Sequence, residues 1–132
     1  MSEQILTAII VDDEPNLVAY LEKKLHVLWP ELNIIGTANN GRTAINMAAE
    51  SSPDIVFLDI HLPGLSGLQV AEALPINCKV VFVTAFDDYA VEAFQRAAID
   101  YLLKPVSDSR LQQTIERLKT SASNDRAELL KM

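Results

Sequence analysis

Five short apolar runs recur along the chain, at Ile5 to Val11, Asn33 to Ala38, Asp54 to Leu58, Cys78 to Val83 and Ile99 to Leu103. Each has the length of a strand, and stretches such as Ile9-Ile10-Val11 and Val80-Val81-Phe82-Val83 are apolar without alternation. A strand with one wet face alternates, whereas a strand covered on both faces has no polar side to show, so these runs predict a parallel sheet buried between two layers. The segments between them carry a different period. Leu17, Leu21, Leu25 and Leu28 recur at four, four and three, and Leu111, Ile115 and Leu118 at four and three, which places each set on one face of a helix. Ala44, Ile45 and Ala48 predict a shorter helix, Leu68 to Leu74 another, and Ala90, Phe94 and Ala97 a further one. Strand followed by helix five times over predicts an α/β fold with a five-stranded parallel sheet, right-handed crossovers and helices on both faces.

The chain has 132 residues, 49% of them hydrophobic and 22% charged, which suits one domain with one buried sheet. That domain is expected over residues 1–120. The polar run Ser121-Ala122-Ser123-Asn124-Asp125 predicts that the last helix stops near Ser121, with a linker or tail over residues 121–132. A net charge of -7 excludes a surface that coats a nucleic-acid backbone, because phosphate binding needs a concentrated excess of Lys and Arg. Any DNA contact is expected from a domain absent from this chain. Cys78 has no partner for an intramolecular disulfide, and Met1-Ser2-Glu3-Gln4 lacks a basic stretch leading into a long apolar run, so a cytoplasmic protein is expected. No apolar stretch approaches the roughly 20 residues that span a bilayer, so no membrane contact is expected.

In an open α/β sheet a ligand crevice lies beyond the carboxyl ends of the strands. The first apolar run ends in Asp12-Asp13-Glu14, the third in Asp59, the fourth in Thr84, and the fifth is followed by Lys104-Pro105. Four strands therefore deliver carboxylates, a hydroxyl and an ammonium to one edge. Three carboxylates close together repel one another and stay ionised only beside a cation, and hard oxygen ligands with room for water suit Mg²⁺. A carboxylate beside Mg²⁺ can attack a phosphoryl donor in line, with the metal and a lysine absorbing charge on the equatorial oxygens; an aspartyl phosphate results. Asp59 stands alone at the end of its strand and is the expected nucleophile, and the neighbouring pair Asp12 and Asp13 is suited to hold the metal.

Asp12-Asp13-Glu14-Pro15, Asp59-Ile60-His61-Leu62-Pro63-Gly64-Leu65-Ser66-Gly67, Thr84-Ala85 and Asp100-Tyr101-Leu102-Leu103-Lys104-Pro105, in this order and spacing, resemble the receiver domains of two-component response regulators over about residues 5 to 120. The resemblance implies a flavodoxin-like doubly wound (βα)5 sandwich with strand order 2-1-3-4-5. It implies that Asp59 accepts a phosphoryl group from a sensor histidine kinase. It implies Mg²⁺ on Asp13 directly, on Asp12 partly through water, on Asp59, and on the backbone carbonyl of His61. Thr84 and Lys104 are implied to contact the phosphoryl oxygens, small Ala85 to leave space for them, and Lys104-Pro105 to be a cis peptide. Tyr101 matches the aromatic position that swings inward as Thr84 moves, so Thr84 and Tyr101 form the implied switch. Such a chain is a signalling switch and not a metabolic enzyme, although it assists its own phosphorylation and dephosphorylation. Thr84-Ala85-Phe86-Asp87-Asp88-Tyr89-Ala90 and Asp100 to Pro105 further resemble the LytTR subgroup of transcription regulators, whose receivers commonly form homodimers through the fourth helix, fifth strand and fifth helix.

Plainer roles stand beside these. Asp59, Asp12 or Asp13 can cap a helix, with Pro15 in the first turn of the helix that follows. Thr84 can be strand-end packing, Lys104 a solvated lysine, and Tyr101 core or rim packing. His61 and Phe86 either overlook the phosphoryl group or sit on the surface without a role. His26, Trp29 and Met47 are read as packing or surface residues. A haloacid-dehalogenase-like hydrolase also uses an Asp nucleophile and Mg²⁺, but needs Asp-x-Asp after the first strand where this chain has Asp12-Asp13-Glu14. A pseudo-receiver that binds partners without phosphate is a third class, and a stand-alone regulator without an output domain is open beside it.

Overall fold

The computed structural model describes residues 5–88, 90–95 and 98–131. Residues 1–4, Tyr89 of the segment Thr84 to Ala90, and Ala97 with the Phe94 side chain of the fourth helical stripe lie outside the described ones. The strands are β1 (Thr7–Val11), β2 (Asn33–Ala38), β3 (Ile55–Leu58), β4 (Lys79–Thr84) and β5 (Asp100–Leu103). The helices are α1 (Pro15–Leu28), α2 (Gly41–Ser51), α3 (Gly67–Ala73), α4 (Ala90–Gln95) and α5 (Asp108–Lys131). All four strand pairings are parallel, and the order is β2-β1-β3-β4-β5, the flavodoxin-like arrangement.

The unbroken apolar runs are explained by two cores. Ala8, Ile10, Ile55 and Phe57 pack under α1 and α5 with Leu21, Leu25, Leu111, Ile115 and Leu118, while Ile9, Val11, Val56 and Leu58 pack on the other side with Ala44, Ala48 and Val70 of α2 and α3. Successive residues of β1 and β3 thus serve opposite layers, and neither face of a central strand reaches water. The edge strand β2 shows the contrast, since most of its residues are exposed or half-buried. Ile5, counted into the first run, precedes β1 and is 68% exposed, because the parallel ladder with β2 begins only at Thr7. Among the described residues no helix is long and apolar enough to cross a membrane.

The helix starts follow local chemistry. The Asn40 side chain accepts from the Thr43 amide at α2, and at α3 Ser66 and Gln69 form a reciprocal capping box. At α1 the N-cap is Glu14, without a side-chain capping bond, and Pro15 opens the first turn. The expected end of the last helix near Ser121 is corrected: α5 continues to Lys131. Between Asp108 and Lys131 there is neither glycine nor proline. Ser, Asn and Asp cost under about 1 kcal/mol each in a helix, too little to stop one already nucleated on the core.

β5 is anchored at its first residue. Asp100 is fully buried; its carboxylate accepts from Arg110 at 2.6 and 3.0 Å, from the Thr114 hydroxyl at 2.8 Å and from the Tyr101 amide at 2.9 Å, with Arg117 at 3.1 Å. Burial pushes the Asp100 carboxyl up, but the Arg110 guanidinium, the Thr114 hydroxyl and the Tyr101 amide outweigh it and hold the group below the usual carboxylate range. A folded value below the unfolded one means that the stabilisation is present above about pH 3.9 and is lost as pH falls through the folded value. Arg110→Met removes the main partner of a carboxylate that is 1% exposed. The expected cost is about 2–3 kcal/mol near neutrality, shrinking as the acid limit is approached, read from urea denaturation at a series of pH values.

Candidate functional site

Strand register brings the polar residues level. Val11 pairs with Leu58, so the next residues, Asp12 and Asp59, are neighbours; Leu58 pairs with Phe82, and Thr84 with Leu103, so Thr84 and Lys104 follow on the same edge. Backbone hydrogen bonds carry the ladder past the strand ends, from Asp59 N to the Val11 carbonyl at 3.0 Å and from Lys104 N to the Thr84 carbonyl at 2.8 Å. Lys104 Nζ lies 2.7 Å from Asp12 Oδ2 and 2.9 Å from Asp59 Oδ2. Asp12 and Asp59 are each 6% exposed, whereas Asp13 is open to solvent. Burial pushes the Lys104 ammonium down, and the Asp12 and Asp59 carboxylates outweigh it, so its pKa stands above the usual lysine value and its charge persists.

Carboxylate oxygens of Asp12, Asp13 and Asp59 all lie within 4.8 Å of one another. Three carboxylates against one ammonium leave two negative charges uncompensated. That surplus, the hard oxygen donors, and the access that Asp13 gives to water fit a hydrated divalent cation such as Mg²⁺. The capping alternative does not describe these residues. Asp12 Oδ1 accepts from the Glu14 amide at 3.0 Å in the turn before α1, and Asp59 Oδ1 from the His61 amide at 3.3 Å, well short of the α3 start at Gly67.

Thr84 is fully buried, and its Oγ1 accepts from the Phe86 amide at 3.4 Å. The Tyr101 ring is buried 6.2 Å from that of Phe82, and its hydroxyl donates to the Phe86 carbonyl. Thr84 and Tyr101 are thereby both tied to the backbone of Phe86. His61 and Phe86, from the loops after β3 and β4, pack with ring centroids 4.1 Å apart. Ala85 is exposed, and the Lys104–Pro105 peptide is cis.

Gly67, which composition and periodicity left without a role, fixes how close α3 approaches the site. Its amide donates to the Ile60 carbonyl at 2.7 Å, and a Cβ placed on it would lie 2.1 Å from the Asp59 carbonyl oxygen. The only signal in the sequence is a glycine at the first helical position after a capping serine, which does not say what the helix start packs against.

The sequence profile of the response regulator receiver domain matches residues 8–116. The chain belongs to this family. Among receiver-containing relatives, an uncharacterized response regulatory protein of Vibrio cholerae is 46% identical over 98% of the chain and 53% of its own length. The transcriptional regulatory protein BtsR of Escherichia coli is 37% identical over 96% of the chain and 53% of its own length. The chain thus spans about half the length of these curated relatives. Of solved receivers, the response regulatory domain of mrkE from Klebsiella pneumoniae superposes with a TM-score of 0.78 at 30% identity over 90% of this chain and 99% of that one. A DNA-binding response regulator of the LuxR family from Staphylococcus aureus superposes at 0.76 with 29% identity, over 86% and 98%. Receiver domains are phosphoacceptors served by sensor histidine kinases, and they bind Mg²⁺ in an acidic pocket, which is the character of the Asp12, Asp13 and Asp59 cluster.

Proposed function

We propose that Asp59 is the phosphoacceptor of this receiver, that Asp12, Asp13, Asp59 itself and the His61 carbonyl hold Mg²⁺, and that Lys104 and Thr84 bind the transferred group. The observation that carries this reading is the convergence of Lys104 Nζ on Asp12 and Asp59, from strands distant in sequence, at 2.7 and 2.9 Å. Asp59 attacks phosphorus in line. The new Asp59 O–P bond forms as the bond from phosphorus to the donor, a phosphohistidine nitrogen of the kinase, breaks, and the leaving imidazole takes up a proton. Bound Mg²⁺ supplies charge neutralisation at the phosphoryl oxygens. Lys104 supplies the protein's own positive charge, held ready between the two carboxylates. The reaction is tested by incubating the chain with Mg²⁺ and a small phosphodonor and following intact mass.

Phosphorylation replaces a carboxylate of one negative charge by a group of about two. Lys104 and the Thr84 hydroxyl then gain a stronger acceptor, and Thr84 leaves the Phe86 amide to donate to it. Because the Phe86 carbonyl holds the Tyr101 hydroxyl, displacement of the segment after β4 is passed to Tyr101 on β5. Phosphate shifts the population toward the conformer it binds better, and the surface of α4, β5 and α5 changes with it. Leu103 on the edge strand β5 is 47% exposed on this chain alone, which suits burial against a second copy. Homodimerisation through α4, β5 and α5 is the expected consequence. Light scattering should show a mass that rises toward twice the monomer's with a phosphoryl mimic and Mg²⁺; an unchanged mass contradicts the dimer while leaving the phosphoacceptor intact.

The output is read as control of transcription by a LytTR-type regulator in the cytoplasm. The LytTR-like segments around Thr84 and Asp100 support this, as does the likeness to BtsR, named a transcriptional regulatory protein. At a net charge of -7, the receiver itself is not the DNA-binding surface of such a regulator.

A further inference from the structure

The segment that carries Lys104 leaves β5 and enters α5 across a poorly filled space. A cavity of about 90 Å³ lies beneath it, lined by Leu17 and Leu21 of α1, Phe57 and Val83 of the sheet, and Val106, with Lys104 on its border. The Val106 side chain is buried in the core, but Pro105 and Ser107 on either side are exposed and atoms that face the cavity lack dispersion contacts on that side, so packing fixes the backbone of this segment only in part. It is held as well at its two ends. On the strand side, the Lys104 amide donates to the Thr84 carbonyl at 2.8 Å. On the other side α1 reaches across the cavity. The Tyr20 hydroxyl donates to the Val106 carbonyl at 3.0 Å, and Lys24, one helical turn on, pairs with Asp108 at 2.5 Å while its ammonium lies 5.4 Å from the Tyr20 ring centroid. The Lys24–Asp108 pair is largely open to solvent and subject to screening, so the Tyr20 bond is the dependable tether.

We infer that Tyr20 is a positioning residue for Lys104: its hydroxyl, by holding the Val106 carbonyl, sets where the Lys104 ammonium meets the phosphoryl group. Neighbouring-turn geometry makes the link short. Val106 is two residues from Lys104, and a shift of its carbonyl moves the lysine backbone directly through the exposed Pro105. The inference rests on the phosphoacceptor reading, because it gives Tyr20 a role only through the role of Lys104.

The test compares wild type, Tyr20→Phe, Lys104→Ala and the double variant for the rate of phosphoryl gain from a small phosphodonor with Mg²⁺, and for amide hydrogen exchange. Loss of one hydrogen bond should slow Tyr20→Phe about five-fold relative to wild type. In the Lys104→Ala background the same substitution should slow it no further, because its effect passes through the lysine. Amides of Lys104 and of residues 106–108 should exchange faster in Tyr20→Phe, with those of β1 and β3 unchanged. A wild-type rate in Tyr20→Phe, an equal slowing in both backgrounds, or faster exchange throughout the sheet overturns the assignment. If the wild type gains no phosphoryl group, the phosphoacceptor reading fails and exchange alone decides: unchanged protection at Lys104 and 106–108 overturns the tether, and selective loss there upholds it.

Discussion

Gly67→Ala is expected to destabilise the receiver by about 3 kcal/mol and to slow phosphorylation of what remains folded by about 100-fold. The added Cβ meets the Asp59 carbonyl oxygen at 2.1 Å and the Ile60 Cα at 2.8 Å, where real contacts essentially never fall below 3.0 Å. Backbone atoms on both sides of the clash cannot rotate away as a side chain would. Either α3 lifts off its capping position, losing the Gly67 amide bond to the Ile60 carbonyl, or the turn after β3 is pushed aside. The second path displaces Asp59 relative to Asp12 and Lys104, to which it is held within 3 Å of the ammonium only because three strand ends are level. Urea denaturation measures the first quantity. Phosphoryl gain by intact mass, taken at a temperature where circular dichroism shows the variant folded, measures the second. A variant with wild-type stability and wild-type rate would show that α3 can retreat without moving Asp59.

The residues that were legible in the sequence share one property: they follow directly from the pattern of a strand. Asp12, Asp13, Asp59 and Lys104 come just after a buried run and Thr84 ends one, and parallel register then brings them to one edge, so position along the chain already implies proximity in space. The continuous apolar character of β1, β3 and β4 was legible for the same reason, because both faces are covered. The extent of α5 was not. Polar composition after Lys119 resembles a linker, yet nothing in it breaks a helix. Gly67, Tyr20 and the partners of Asp100 were missed because their roles depend on contacts that periodicity does not encode. Tyr20 meets Val106 across 86 residues, and Asp100 meets Arg110 and Thr114 only once α5 is laid against β5. The charge of Asp100 would read as solvated from sequence, whereas it is the most deeply buried carboxylate among the described residues.

Whether Asp59 takes the phosphoryl group is read most directly from intact mass after incubation with Mg²⁺ and a small phosphodonor, wild type beside Asp59→Asn. Asparagine keeps the shape and can still accept from the His61 amide, but it removes the negative oxygen that attacks phosphorus, so no compensating nucleophile is left at that position. Asp12 and Asp13 remain, which makes the comparison a test of which carboxylate reacts as well as of whether one does. The predicted result is a gain of one phosphoryl group in the wild type, lost when Mg²⁺ is chelated and absent from Asp59→Asn. An equal gain in Asp59→Asn, or no gain in a folded wild type across several donors, would contradict it.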